Sequence, residues 1–380
     1  MLPRTPEFDV LIACASPPGH PDLISRVRSS LAVPVDWNRL QALATYHRVQ
    51  PLLYRRLAEH AADLIPNSLL TQIATGSRAF AARNLYLTGE LITLVKAFTA
   101  AQIPVRPHTG PLLAQAAYGD LALRQFADLD LLVHPSDLPQ AIALLSEQGY
   151  SPDAGLSWLS PSALRDWTGE MSYTSPRGTV VDLHWRLTPP HYVTQLNSDI
   201  LWRSLVYVTL AGSALPSLAP EAMFLLLAVH GSKHNWEALG WLADLAWLLH
   251  SHPDFDWHRA AALARESDCE RPLALAQSLI DVVFKGQPST NALTERVLNR
   301  WRFGPTELLG SLELFSFAAA IEKRRSRTLN HLLGVVFWPT AADWKRRRLP
   351  ERLFWLYAPL RAARLTGKYL LRTSPLNLGI

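Results

Sequence analysis

An α+β fold, with a small mixed sheet flanked by N-terminal and C-terminal helical regions, is what three features of this sequence predict. Apolar residues recur at three- and four-residue steps over residues 35–100, and again from about residue 217 to the end. Between them, short extended runs alternate with single helical stretches. One extended run, "FADLDLLV", alternates so strictly that Asp128 and Asp130 share one face while Leu129, Leu131 and Val133 share the other. The texture divides the chain into a helical region over 1–100, an α/β core over 101–215, and a helical domain with a basic tail over 216–380.

Each element has a local reason. "DWNRLQALATYHRVQPLLYRRLAEHA" spaces Leu40, Leu43 and Ala44, then Leu52, Leu53 and Leu57, at helical steps, with Asp36 placed as an N-cap. "IPVRPH" is extended, because Pro107 keeps Arg106 out of the α region. "TGPLLAQAAYG" reads as a helix with Pro111 in its first turn. "PSDLPQAIALLSEQGY" reads as a helix with Ser136 as N-cap and Gly149 as its stop. "EMSYTSPRGTVVDLHWRL" reads as two strands joined by a tight turn. From 217 onward "PEAMFLLLAVHGSKHNWEALGWLADLAWLLHSH" is helical, with a break near Gly231.

Composition excludes several classes. The 380 residues leave room for two or three domains, and 48% hydrophobic with 18% charged residues argues against long disorder. Cys14 and Cys269 are the only cysteines, which excludes a disulfide framework and a cysteine-rich zinc site and fits a reducing compartment. "MLPRTPEFDV" lacks a basic stretch followed by an apolar one, so no secretory leader is expected, no window suits a membrane span, and a cytoplasmic protein is expected. From residue 300 onward there are 15 Lys/Arg against 5 Asp/Glu, concentrated in "KRRSR" (323–327) and "KRRR" (345–348). Such runs attract phosphates, nucleic acid or anionic lipid, or simply solvate a helix face. P-loop, dinucleotide and nucleophile-elbow motifs are absent, which argues against kinases, dehydrogenases and serine hydrolases.

Residues two apart on a strand share a face at roughly 6.5–7 Å. Asp128 and Asp130 therefore point one way, as do Asp182 and His184 in "TVVDLHW". If the two strands are neighbours, three carboxylates meet. Three acidic oxygen donors suit one or two Mg²⁺ ions, which fill their remaining positions with water and substrate phosphates. Two such ions stabilise both oxygens of an in-line phosphoryl or nucleotidyl displacement. Alone, the D-x-D is equally a solvent-facing pair of aspartates. Gly110, opening a helix after a strand, would let backbone N–H groups face an anion.

Secondary candidates are each two-sided. Arg124 could fork onto a phosphate or form a surface salt bridge. His230 and His234 have the i, i+4 spacing that zinc uses, but no third ligand is in view. Lys233 and His234 instead suit a helical face turned to a triphosphate, and Asp244 suits either that site or helix packing. His184 could act as a general base, hydrogen-bond a metal carboxylate, or fill the sheet edge. The tryptophans 158, 167, 185, 236, 241 and 247 sit mostly at core positions.

A strand, a glycine-led helix, a D-x-D strand and a third Asp on a later strand resemble the polymerase-β nucleotidyltransferase superfamily. More closely, "WNRLQALATYHRVQPLLYRRL", "TGPLLAQAAYGDLALRQFADLDLLV", "VVDLHWRL" and "HGSKHNWEALGWLADLAWLL" resemble a family of uncharacterised nucleotidyltransferases, over about residues 36–250. The resemblance implies a polymerase-β-like core. In it Asp128 and Asp130 bind two Mg²⁺ ions (with Mn²⁺ able to substitute), Asp182 completes the catalytic one and takes the acceptor's proton, and Thr109 and Gly110 lie at the phosphates. Arg124, Lys233 and His234 are further nucleotide contacts in that reading. The implied reaction moves NMP from an NTP, ATP foremost, to a small-molecule, peptide or protein acceptor, releasing pyrophosphate. One departure stands out: Thr109 replaces the lysine usual before the glycine, and Pro111 removes an N–H. That departure favours the alternative, a non-catalytic subunit that recognises a nucleotide or peptide. A nucleic-acid-modifying enzyme using the basic tail is the third reading, and a nucleic-acid partner is not expected.

Overall fold

The computed structural model describes residues 5–19, 22–189, 191–303, 311–322 and 324–370. The chain forms two compact units: Met1–Thr93, Pro107–Leu129 and Asp199–Leu308 make the first, and Leu94–Arg106, Asp130–Ser198 and Leu309–Ile380 the second.

The first unit is mainly helical. Helix Trp37–Tyr46 begins where Asp36 accepts hydrogen bonds from the Asn38 and Arg39 backbone N–H groups, a cap of about 1 kcal/mol. It turns into helix Gln50–His60, whose Leu52, Leu53 and Leu57 are buried as their spacing predicts. Helix Pro220–Lys233 is almost wholly buried and runs through Gly231 without breaking. The break comes after it, where Asn235 and Trp236 adopt left-handed backbone (φ 53° and 55°). That turn folds the Trp236 ring onto Gly231, where a Cβ would sit 2.7 Å from the ring. The glycine thus seats a fully buried tryptophan, whose carbonyl accepts the Trp301 indole N–H. A hairpin that the periodicity did not reveal follows helix Ser198–Arg203. Its strands are Leu205–Leu210 and Ser213–Leu218, turning through Ala211 and Gly212 (φ 45° and 79°).

Most of a mixed five-stranded sheet belongs to the second unit. Its strands in chain order are β1 (Val105–Pro107), β2 (Asp128–Val133), β3 (Ser151–Pro152), β4 (Glu170–Thr174) and β5 (Val180–His184), arranged β1-β2-β5-β4-β3. β4 and β5 are antiparallel with Glu170 opposite His184 and Ser172 opposite Asp182. Leu129, Leu131, Met171, Tyr173, Val181 and Leu183 are buried on the apolar face. Helix Leu138–Glu147 is preceded by Asp137, not by Ser136, whose hydroxyl bonds the Asp137 carboxylate instead. Further on, the Asp343 carboxylate closes a capping box with Thr340 and binds Arg361 and Arg364, so part of the basic tail is neutralised internally. Lys345 pairs with Asp153 at 2.7 Å in the same way. No described helix is long and apolar enough to cross a membrane.

Candidate functional site

Strand alternation sets up the polar face of the sheet. Asp128 and Asp130 are half-buried while Leu129 and Leu131 are fully buried, so both aspartates lie on the side away from the core. β5 is the neighbour of β2, which brings Asp182 and His184 beside Asp130. β4 then adds Glu170 and Ser172 by its register.

The His184 ring is held between two carboxylates. Nε2 donates to Asp130 Oδ1 at 2.9 Å, and Nδ1 lies 3.2 Å from Glu170 Oε2, an ion-pair contact without full hydrogen-bond alignment. Burial works against a charged ring, but the bonds to Asp130 and Glu170 and their charges outweigh it and push the pKa up to about 10. His184 is therefore an imidazolium at neutral pH, which does not suit a general base. Its role here is the carboxylate-bonding one.

Asp182 is shifted toward the protonated form. Burial raises its pKa above the usual carboxylate range, the Ser172 hydroxyl pulls it down, and Asp130 pushes it up again. Its Oδ1 is buried with no hydrogen-bond partner among the described residues. An orphaned buried carboxylate oxygen is costly unless something binds it, and a cation or a donor proton fits. Glu170 is not among the residues that the sequence singles out.

Thr109 and Gly110 open the turn after β1. Gly110 has φ +59°, and a Cβ there would lie 3.5 Å from the Asp128 carbonyl. The helix it starts is one turn long, Gly110–Leu113, and continues as a π turn over Ala114–Tyr118, so it is shorter and wider than the sequence suggests.

The remaining expected contacts lie in the helical unit. Arg124 forks onto Asp244, Nε to Oδ1 at 2.9 Å and Nη2 to Oδ2 at 3.0 Å, and the Tyr118 hydroxyl donates to Asp244 Oδ1 at 2.7 Å. This buried network gives Asp244 a packing role and gives Arg124 a carboxylate partner. Lys233 ends helix Pro220–Lys233 and His234 caps it. The His230 and His234 rings sit 4.6 Å apart, both against Trp241.

Residues 33–285 match the family described as uncharacterised nucleotidyltransferase. Among solved structures, the chain is similar to the lincosamide antibiotic adenylyltransferase LnuA in its lincomycin-bound form, with 16% identity, 36% of this chain and 83% of that chain covered, and a TM-score of 0.25. It is also similar to an antigenic nucleotidyltransferase-like protein from Paracoccidioides brasiliensis, with 13% identity, coverage of 55% and 95%, and a TM-score of 0.31. No curated protein matches the chain.

Proposed function

We propose, from the premise that the chain belongs to the uncharacterised nucleotidyltransferase family, that it transfers an NMP group from an NTP to an acceptor and releases pyrophosphate. The observation that carries this reading is the polar sheet face, where Asp130, Asp182 and Glu170 gather around His184 and one buried Asp182 oxygen has no hydrogen-bond partner among the described residues.

Asp128, Asp130 and Asp182 would hold Mg²⁺, and the hard carboxylate oxygens of the three fit that ion. The cation would supply charge neutralisation for the triphosphate and the developing negative charge. The chain's own groups do the rest. Asp182 Oδ1 takes the proton of the acceptor hydroxyl, a role helped by its raised pKa. His184 holds the Asp130 carboxylate in one orientation. The Thr109 hydroxyl and the Gly110 backbone border the phosphates, in place of the usual lysine.

A second reading, a subunit that recognises a nucleotide or peptide without turnover, is favoured by one specific observation: the Arg124 fork is spent on Asp244. The deciding experiment is incubation with α-labelled NTPs and Mg²⁺, scored for pyrophosphate release and for label on acceptors. Loss of release in Asp130→Asn supports the transferase reading, whereas full release in that variant removes the carboxylate assignment.

A further inference from the structure

The helical unit has a small pocket that is partly open to solvent. Its wall includes Arg48, Leu52, Tyr118, Arg124, Gln125 and Trp241. The way Arg48 is presented there is specific. It stands at the corner between helices Trp37–Tyr46 and Gln50–His60 with φ +57°, a left-handed backbone that arginine rarely adopts. The corner is clamped on the next wall of the pocket. Buried His47 accepts the Leu239 N–H on Nδ1 at 3.2 Å and the Gly240 N–H on its carbonyl at 2.9 Å. The fit is tight enough that a Cβ on Gly240 would lie 2.9 Å from the His47 carbonyl and 3.1 Å from that of Arg48. This clamp sets the Arg48 guanidinium over the Trp241 ring, 5.4 Å from its centroid.

Charge and hydrogen bonding in the pocket then define what fits. Arg124 and Asp244 cancel one another through their two-pronged bond. Arg48 forms no ion pair among the described residues, although its charge reaches Glu237 at longer range. The pocket is thus left with about one unit of positive charge, which matches a monoanion better than a phosphate dianion. The Gln125 side-chain oxygen is buried and has no hydrogen-bond partner among the described residues, so it calls for a donor. Leu52 and the aromatic rings offer an apolar floor.

We propose that this pocket binds a small carboxylate bearing an N–H or O–H donor next to the carboxyl group. The carboxylate pairs with Arg48, the donor bonds Gln125 Oε1, and the ligand's carbon skeleton lies along Trp241. This site stands on its own observations and does not depend on the nucleotidyl-transfer reading.

Saturation-transfer NMR on the full chain tests it, with N-acetylglycine and glycolate as probes, and acetate and inorganic phosphate for comparison. Arg48→Asn removes the charge while keeping a residue that tolerates the left-handed turn, and Gln125→Leu removes the acceptor. N-acetylglycine should bind the wild type. Arg48→Asn should weaken that binding by about tenfold or more, as expected for a lost charge-assisted bond. Gln125→Leu should weaken N-acetylglycine and glycolate while leaving acetate unchanged. The proposal is overturned if N-acetylglycine fails to bind, if phosphate binds more tightly than the carboxylates, or if Arg48→Asn, with its wild-type melting curve, binds unchanged.

Discussion

His184 donates from Nε2 to Asp130 Oδ1 across 2.9 Å, while its other nitrogen faces Glu170. A buried imidazolium here offsets the mutual repulsion of Asp130, Asp182 and Glu170. His184→Leu should therefore lower folding stability by about 3 kcal/mol, the cost of leaving buried charge uncompensated. Divalent cation should restore part of the loss. Urea unfolding of wild type and variant, with and without MgCl₂, reads both effects, and an unchanged midpoint in metal-free buffer would contradict the charge-balancing role.

The Arg124–Asp244 pair is buried on both sides, with side-chain exposures of 13% and 4%. Asp244→Ala should cost about 3–5 kcal/mol, because it strands a buried guanidinium and the Tyr118 hydroxyl together. Replacing the pair jointly, Arg124→Leu with Asp244→Leu, should cost less than Asp244→Ala alone. Denaturant midpoints for the single and double variants check the order, and a double variant less stable than the single would contradict it.

Acid should weaken both units. Burial pulls the His47 pKa from the usual 6.5 down to about 4, and burial with the charges of His331 and Arg361 does the same to His191. A depressed histidine pKa means that the unfolded chain takes up the proton first. Stability is whole above about pH 6.5 and is lost as the pH falls toward 4, by about 3 kcal/mol for fully buried His47. Unfolding curves at a series of pH values should show this decline, and His47→Gln should flatten it. A stability profile level from neutrality to pH 4 would count against it.

Legibility from the sequence followed the range of the interaction. Alternation in "FADLDLLV" put Asp128 and Asp130 on one face because a strand's period is local, and the Asp36 cap was visible for the same reason. The α+β class with a mixed sheet followed from the changes of period along the chain. Glu170 was invisible because it reaches His184 only through the β4–β5 register. The hairpin over residues 205–218 was hidden by Pro216 within its second strand and by a turn of Ala211 and Gly212 in place of the usual Asn-Gly. The break expected near Gly231 comes just beyond it, at the left-handed Asn235 and Trp236, while Gly231 itself stays helical and admits the Trp236 ring. Arg124 and Asp244, 120 residues apart, meet only once the helices have packed.

As a carboxylate site for a metal–nucleotide complex, the polar sheet face should bind nucleotide only through the metal. Calorimetric titration of the purified chain with each NTP tests it most directly, in Mg²⁺ and in EDTA, beside an Asp130→Asn/Asp182→Asn double variant of unchanged fold. At least one NTP should bind only with Mg²⁺, and the double variant should lose this binding. Nucleotide binding that is indifferent to metal, or that the double variant keeps, would contradict it.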